Sequence, residues 1–138
     1  MKLNNIDNIK IINLEHINTK ESSMLIFNKI ENYMKIKRVF FVNPKSKDVI
    51  KGKHAHKIDN QIICCINGKI RFTVKDGKKQ KSFILSSPKK LIYVPKHIWT
   101  ETKYLNEKTI ICVFSSSEYN ENSYIRFYTE YLKFRKLK

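Results

Sequence analysis

The sequence predicts an all-β chain, a double-sheet jelly roll with a short helical segment at its C-terminal end. Short apolar runs recur at close spacing and are separated by turn signals, as in sandwiches and barrels. Several of these runs alternate apolar and polar residues, the pattern of a half-buried strand. Helical spacing is confined to residues 123–138. Roughly eight to ten short strands make a sandwich or barrel, and the jelly roll is the closed form that suits a chain of this length.

The elements follow in order. Residues 9–14, 23–28 and 36–42 are three apolar segments, and Asn43-Pro44-Lys45-Ser46 is a turn. Residues 52–57 and 61–66 come next. Asn67-Gly68 then reads as a tight hairpin into 70–74, whose residues alternate. Asp76-Gly77 is a second tight turn, and 81–85, 91–94 and 109–114 complete the strands. Tyr124, Phe127, Tyr128, Tyr131 and Leu132 fall at i, i+3, i+4, i+7 and i+8, a helical stripe docked against the barrel.

Length and composition bound the function. A chain of 138 residues is one domain, residues 1–138, large enough to bury a core. With 41% hydrophobic and 12% aromatic residues it is not a disordered tail. Three Gly and three Pro exclude collagen-like and Pro-rich sequence. The net charge of +16 attracts anions, but nearly all of it is scattered Lys, with four Arg. Neither an RNP1 nor a zinc-finger pattern accompanies it. The charge therefore reads as background plus a local anion site, with a polyanion-binding face as the alternative. No run approaches the roughly 18 apolar residues of a membrane span, and residues 1–5 do not resemble a signal peptide. Cys64, Cys65 and Cys112 are odd in number and form no C-x-x-C pair, which fits buried reduced thiols in a cytoplasmic protein.

Chemistry concentrates in the histidines. Of His16, His54, His56 and His97, the pair His54 and His56 stands at i and i+2 in a strand, so both side chains leave the same face. Two inward imidazoles need a polar pocket; the alternative is an exposed edge pair. His54-Ala55-His56, then Gln61, then Gly68, resembles the first motif of the cupins. In metal-binding cupins that motif supplies two His and a Glu, and a second motif, P-x-G-x-x-H, supplies the last His. The matching stretch here is Pro95 to Thr100, with His97 at the Gly position and Thr100 at the ligand position. Gln61 stands where the Glu belongs. Two of four ligands are thus replaced by neutral groups, and His97 lies three positions out of register. Two His and a Gln without a carboxylate would hold a divalent metal weakly, so neither metal nor other cofactor is expected. The imidazoles are then free for acid–base work, for which a pKa near 6.5 suits them.

From about residue 36 to 134, and more weakly before that, the sequence resembles the dTDP-4-keto-6-deoxyglucose 3,4-ketoisomerases, cupin enzymes that make 3-keto sugars for 3-amino-3,6-dideoxyhexose synthesis. The markers begin with Lys37-Arg38-Val39-Phe40-Phe41, the Lys51–Lys57 stretch, Gln61, Asn67-Gly68, Arg71 and Asp76-Gly77. They continue with Ser86-Ser87-Pro88, Tyr93-Val94-Pro95, Trp99, the stretch from Ser115 to Tyr119, and Tyr124-Ile125-Arg126. Departures are informative. Lys51 stands where the family has Arg, which keeps the charge and loses the bidentate fork. Phe40 and Phe41 replace tyrosines, removing a phenol. Lys20 replaces an Arg, and Thr100 is smaller than its counterparts. Positions matching Lys20 and Thr100 face the sugar in that family, so the gluco or galacto configuration of the product is left open.

The resemblance implies a tautomerisation: a base takes the C-3 proton, and a proton returns at C-4. His54 is the base and His56 its relay partner, in an order the sequence leaves open. Lys51 and Arg71 would meet the diphosphate, Arg71 having an outer-surface reading as its alternative. Tyr93 and Trp99 would flank base or sugar, or else fill the barrel core. Glu101 would orient a histidine or pair with a surface Lys. Tyr124 and Arg126 would tie the C-terminal segment to the barrel. The partners implied are a dTDP-linked keto sugar and a second copy of the chain, with strands of about residues 1–35 exchanged; nucleic acid and membrane are not among them. Competing readings are a metal-free 3,5-epimerase, for whose His–Asp dyad the sequence offers no Asp near the histidine pair, a non-catalytic nucleotide-sugar sensor or polyanion binder, and a metal-dependent oxygenase.

Overall fold

The computed structural model describes residues 2–137. Its strands are β1 (Lys10–Asn13), β2 (Glu15–Asn18), β3 (Ser23–Ile26), β4 (Arg38–Val42), β5 (Ile50–His56), β6 (Gln61–Asn67), β7 (Ile70–Lys75), β8 (Gln80–Leu85), β9 (Lys90–Val94), β10 (Trp99–Tyr104), β11 (Ile110–Ser115) and β12 (Tyr124–Ile125), followed by helix α1 (Tyr128–Leu137). Two five-stranded antiparallel sheets face each other, in the orders β1-β9-β6-β11-β4 and β12-β5-β10-β7-β8, and β2 and β3 form a separate hairpin. This is the cupin-type jelly roll.

The core lies between the sheets. Ile63 and Cys65 of β6 point into it and meet Phe72 and Val74 of β7. Ile62 and Cys64 of the same strand point the other way, into an outer layer with Leu14, Ile30, Met34 and Cys112. Burial on both faces explains why β6 is a continuous apolar run rather than an alternating one. The three cysteines are buried and free, and burial pushes the Cys64 thiol up to about 12.

Three expectations change. Asn67-Gly68 is not a hairpin turn. β6 is already flanked by β9 and β11, so β7 has no edge to join and crosses to the other sheet. Gly68, at φ +86°, makes that corner where any side chain would run into Thr109. Asp76-Gly77, by contrast, does join a paired hairpin, β7 to β8, and the Asp76 carboxylate accepts from the Lys78 and Lys79 amides at 2.9 and 2.8 Å. Next, residues 99–104 form β10, which apolar alternation does not reveal. Last, the helix begins at Tyr128. Tyr124 and Ile125 are extended and pair with His56 and Ala55, and Phe127 is exposed. The rest of the stripe docks as expected: Tyr131 is fully buried, and its hydroxyl donates to the Lys75 and His97 carbonyls at 3.0 and 2.9 Å. Among the described residues no helix is long and apolar enough to cross a membrane.

Candidate active site

A cavity of about 240 Å³ opens between the sheets. Val42, Ile63, Phe72, Ile111 and Val113 give it an apolar inner wall. Most of its polar groups come from β5, β10 and the β12 segment, among them Lys51, His54, Thr100, Tyr124 and Arg126, and Gln61 of β6 joins them.

A bulge brings the β5 residues together. Thr100 pairs with His54 and Thr102 with Lys51, so two steps on β10 match three on β5. Gly52, at φ +67°, absorbs the extra residue. Strict alternation would send Lys51 and His54 to opposite faces; the bulge turns both toward the cavity.

His54 and His56 share a face. Their ring centroids are 4.7 Å apart and nearly perpendicular. The Tyr124 ring closes the group, 5.0 Å from His54 and 4.6 Å from His56. Burial, reinforced by the neighbouring His56, drives the His54 pKa down to about 3. Burial likewise lowers His56 to about 4, with Asp59 opposing and Arg38 and Arg126 assisting. Both rings are therefore neutral near pH 7, and a neutral imidazole carries a lone pair able to take a proton. His56 is only 5% exposed. Neither of its ring nitrogens has a hydrogen-bond partner among the described residues. Buried polar atoms in native proteins are nearly always satisfied, so such an exception points to function.

Behind His56 lies Asp59, 2% exposed. Its Oδ2 accepts from Gln61 Nε2 (2.9 Å), Ser115 Oγ (3.0 Å) and Arg38 Nη2 (3.3 Å). Its Oδ1 accepts from the Ser116 and Ser117 amides at 2.9 and 3.1 Å. An aspartate does therefore stand near the histidine pair, contrary to the sequence reading. It acts on His56 through its charge and not as the hydrogen-bonded dyad an epimerase would use.

The other sequence-selected residues lie elsewhere. Lys20 is exposed in the turn between β2 and β3, away from the cavity of its own chain. Arg71 is exposed because its β7 neighbours, Ile70 and Phe72, take the inward face. Tyr93 belongs to the outer layer, 5.8 Å from Tyr33. Trp99 is buried beneath α1, 5.1 Å from Tyr128. Glu101 accepts from Trp99 Nε1 (3.0 Å) and Lys75 Nζ (3.2 Å), so it orients a tryptophan and not a histidine. Within this chain, then, Arg71, Tyr93, Trp99 and Glu101 do not face the cavity; on β10 the alternation hands that face to Thr100 and Thr102. His97, at φ +77°, is buried outside the cavity lining, and its Nδ1 accepts from the Asn4 amide. Among the described residues no three His, Cys, Asp or Glu side chains gather as a metal-ligating group. Tyr124 and Arg126, read from sequence as a structural tie, also line the cavity, and the backbone of Tyr124 keeps the tie by pairing with His56.

The family described as FdtA, WxcM-like, C-terminal, matches residues 7–136. The chain belongs to that family. A relative, the TDP-4-oxo-6-deoxy-alpha-D-glucose-3,4-oxoisomerase of Aneurinibacillus thermoaerophilus, is 30% identical over 126 residues, 91% of each chain. A 3,4-ketoisomerase from Helicobacter canadensis superposes with a TM-score of 0.87 at 31% identity, covering 94% of this chain and 98% of that one. The sugar 3,4-ketoisomerase QdtA of Thermoanaerobacterium thermosaccharolyticum, solved with TDP, superposes at 0.88 with 29% identity over 96% and 97%. As a member of the FdtA family the chain is an isomerase.

Proposed function

We propose that this chain is a sugar-nucleotide 3,4-ketoisomerase that moves the keto group of a dTDP-linked 4-keto-6-deoxyhexose from C-4 to C-3 through His54 and His56. The observation that carries this reading is the pair of neutral imidazoles packed against each other at the cavity, one lining it and one buried behind. The names of the relatives and the TDP bound to QdtA support the substrate class.

The C-4 ketone acidifies the C-3 proton. Neutral His54 takes that proton, and the electron pair moves into an enediolate. A proton then returns to C-4, and the C-3 hydroxyl proton passes to the C-4 oxygen, so that the carbonyl is left at C-3 and a hydroxyl at C-4. Substrate and product are isomers, so no oxidant or reductant is consumed. His56 exchanges the proton with His54. Lys51 and Thr100 hold the sugar nucleotide from the same face as His54. A 3-keto product suits amino transfer at C-3, which places the reaction in synthesis of dTDP-3-amino-3,6-dideoxy sugars for surface glycans.

The enzyme is read as a cytoplasmic homodimer that exchanges strands from residues 1–35; β1 pairs with β9 of its own chain, which leaves the β2–β3 hairpin as the part exchanged. Exposed apolar residues support this: Val39 and Phe41 on edge strand β4 (48% and 66% exposed), and Ile17 and Met24 on the β2–β3 hairpin (52% and 57%). Exchange would carry Lys20 to the partner's cavity, where it would influence the configuration at C-4.

The test is a proton-NMR time course in D₂O with dTDP-4-keto-6-deoxyglucose, on the wild type and His54→Asn. Conversion to a 3-keto product by the wild type, lost in the variant, is the expected result and reads out the C-4 configuration. Solvent deuterium at C-3 and C-5 would mean an epimerase. Bound dTDP without turnover would mean a sensor.

A further inference from the structure

The cavity carries one cation that is already engaged. Arg126 lines it immediately after β12, and its guanidinium lies 4.4 Å above the Tyr124 ring, the ring that touches both histidines. The same guanidinium meets Glu121 in a two-point contact, Nε to Oε1 at 2.5 Å and Nη2 to Oε2 at 2.8 Å. Tyr119 donates its hydroxyl to Glu121 Oε2 as well. The side chains of Arg126 and Glu121 are about half exposed, 47% and 53%.

An exposed ion pair of this kind is weak. The planar fork that fits a carboxylate fits a phosphate equally, and a phosphate group binds it more strongly because it brings more charge. Stacking on Tyr124 holds the guanidinium over the cavity independently of Glu121. Lys51, the other cation lining the cavity, is a point charge without a fork.

We propose that Arg126 is the bidentate anion-binding residue of this cavity, and that Glu121 is its internal competitor, displaced when the diphosphate of a nucleoside diphosphate arrives. The identity of the ligand rests on the ketoisomerase reading. The Glu121 carboxylate occupies the fork in the free protein and leaves it on binding. Hydrogen bonding to Arg126 and Tyr119 favours the ionised form of Glu121, so the fork meets a carboxylate in the free protein, and the exposure of both groups keeps that contact weak enough to be displaced.

The experiment is calorimetric titration with dTDP, and with inorganic pyrophosphate as a base-free probe. The proteins are the wild type, Arg126→Ala, Arg126→Lys, Glu121→Gln and, as a charge control on the exposed face of α1, Lys133→Ala. Arg126→Ala is expected to weaken dTDP about 10- to 100-fold, with Arg126→Lys recovering only part. Glu121→Gln is expected to bind about 1.5- to 5-fold more tightly. Lys133→Ala should match the wild type. Equal affinities for Arg126→Ala and Lys133→Ala would overturn the assignment, and a Glu121→Gln protein no tighter than the wild type would overturn the competition. Turnover assayed in parallel separates the two readings. Turnover with Arg126-independent binding sinks this inference alone, whereas Arg126-dependent binding without turnover sinks only the ketoisomerase reading. A wild type that binds neither probe sinks both.

Discussion

Lys51 and His54 face the same cavity although they stand an odd three positions apart along one strand, because the β5 bulge turns at Gly52. A Cβ at Gly52 would meet His54 Cε1 at 3.8 Å and Thr102 Oγ1 at 3.9 Å, both ordinary contacts. Space is therefore not the constraint; the positive φ is. Gly52→Ala should cost about 1–2 kcal/mol, and Gly52→Asn less, because Asn tolerates the left-handed region. If the alanine variant instead relaxes the bulge, Lys51 leaves the cavity and dTDP affinity falls with stability. Urea unfolding and a dTDP titration on the three proteins measure both effects. Full stability in Gly52→Ala would contradict the strained-bulge account.

This bulge also shows where sequence reasoning reached and where it stopped. The H-x-H pair was legible because two steps along a strand return to one face. The burial of Cys64 and Cys65 on β6 was legible from the odd number of cysteines and the lack of a C-x-x-C pair. β10 was not, because its inward residues are Thr100, Thr102 and Tyr104 and its outward ones Trp99, Glu101 and Lys103. A strand that lines a polar cavity and carries a tryptophan under a helix inverts the usual hydrophobic alternation. The same inversion misplaced Trp99 and Glu101 in the site. Tyr124 was hidden differently. A two-residue strand has no period, and its spacing to Phe127 and Tyr128 imitated a helix. Asp59 escaped because, Gln61 apart, its partners are Arg38 and Ser115 to Ser117, 21 or more positions away.

Acid should weaken the fold through the histidines. His56 has an ordinary pKa of 6.5 unfolded and about 4 folded, because burial disfavours its charged form. Between those values the unfolded chain binds a proton that the folded chain does not. Stability is thus complete above about pH 6.5 and falls as pH drops toward about 4. The loss is about 1.4 kcal/mol per pH unit for each such histidine. His54 shifts in the same direction, down to about 3. Urea unfolding at pH 7, 6 and 5 should give a shallower pH slope for His56→Asn than for the wild type. Parallel slopes would mean that His56 is not buried neutral.

Asp59 is the anionic centre of a buried cluster, and its side chain is 1% exposed against 19% for Arg38. Asp59→Asn leaves that guanidinium without its counter-charge and places an amide group where backbone amides donate. Removing one partner of a buried pair costs about 3–5 kcal/mol, and the partial exposure of Arg38 puts this case near 3. Adding Arg38→Gln to Asp59→Asn should recover part of the loss, because the unpaired charge disappears. Chemical denaturation of the single and double variants tests this. A double variant as unstable as the sum of the singles would show that the pair is not coupled.

The last prediction concerns Tyr124, whose ring lies against both imidazoles while its backbone pairs with His56. If the ring is what matters, it acts by fixing the two histidines at the angle and separation that proton transfer requires. Tyr124→Phe keeps that wall and should retain most of the turnover and stability. Tyr124→Ala opens a space beside both rings and removes the surface on which Arg126 stacks. Misplacement of a reacting group by about 1 Å can cost about 100-fold in rate, so Tyr124→Ala should lose kcat on that scale and weaken dTDP binding as well. Steady-state kinetics of the two variants separate the roles. A Phe variant as slow as the Ala variant would assign the work to the phenol hydroxyl, making Tyr124 a proton-transfer group and not a wall.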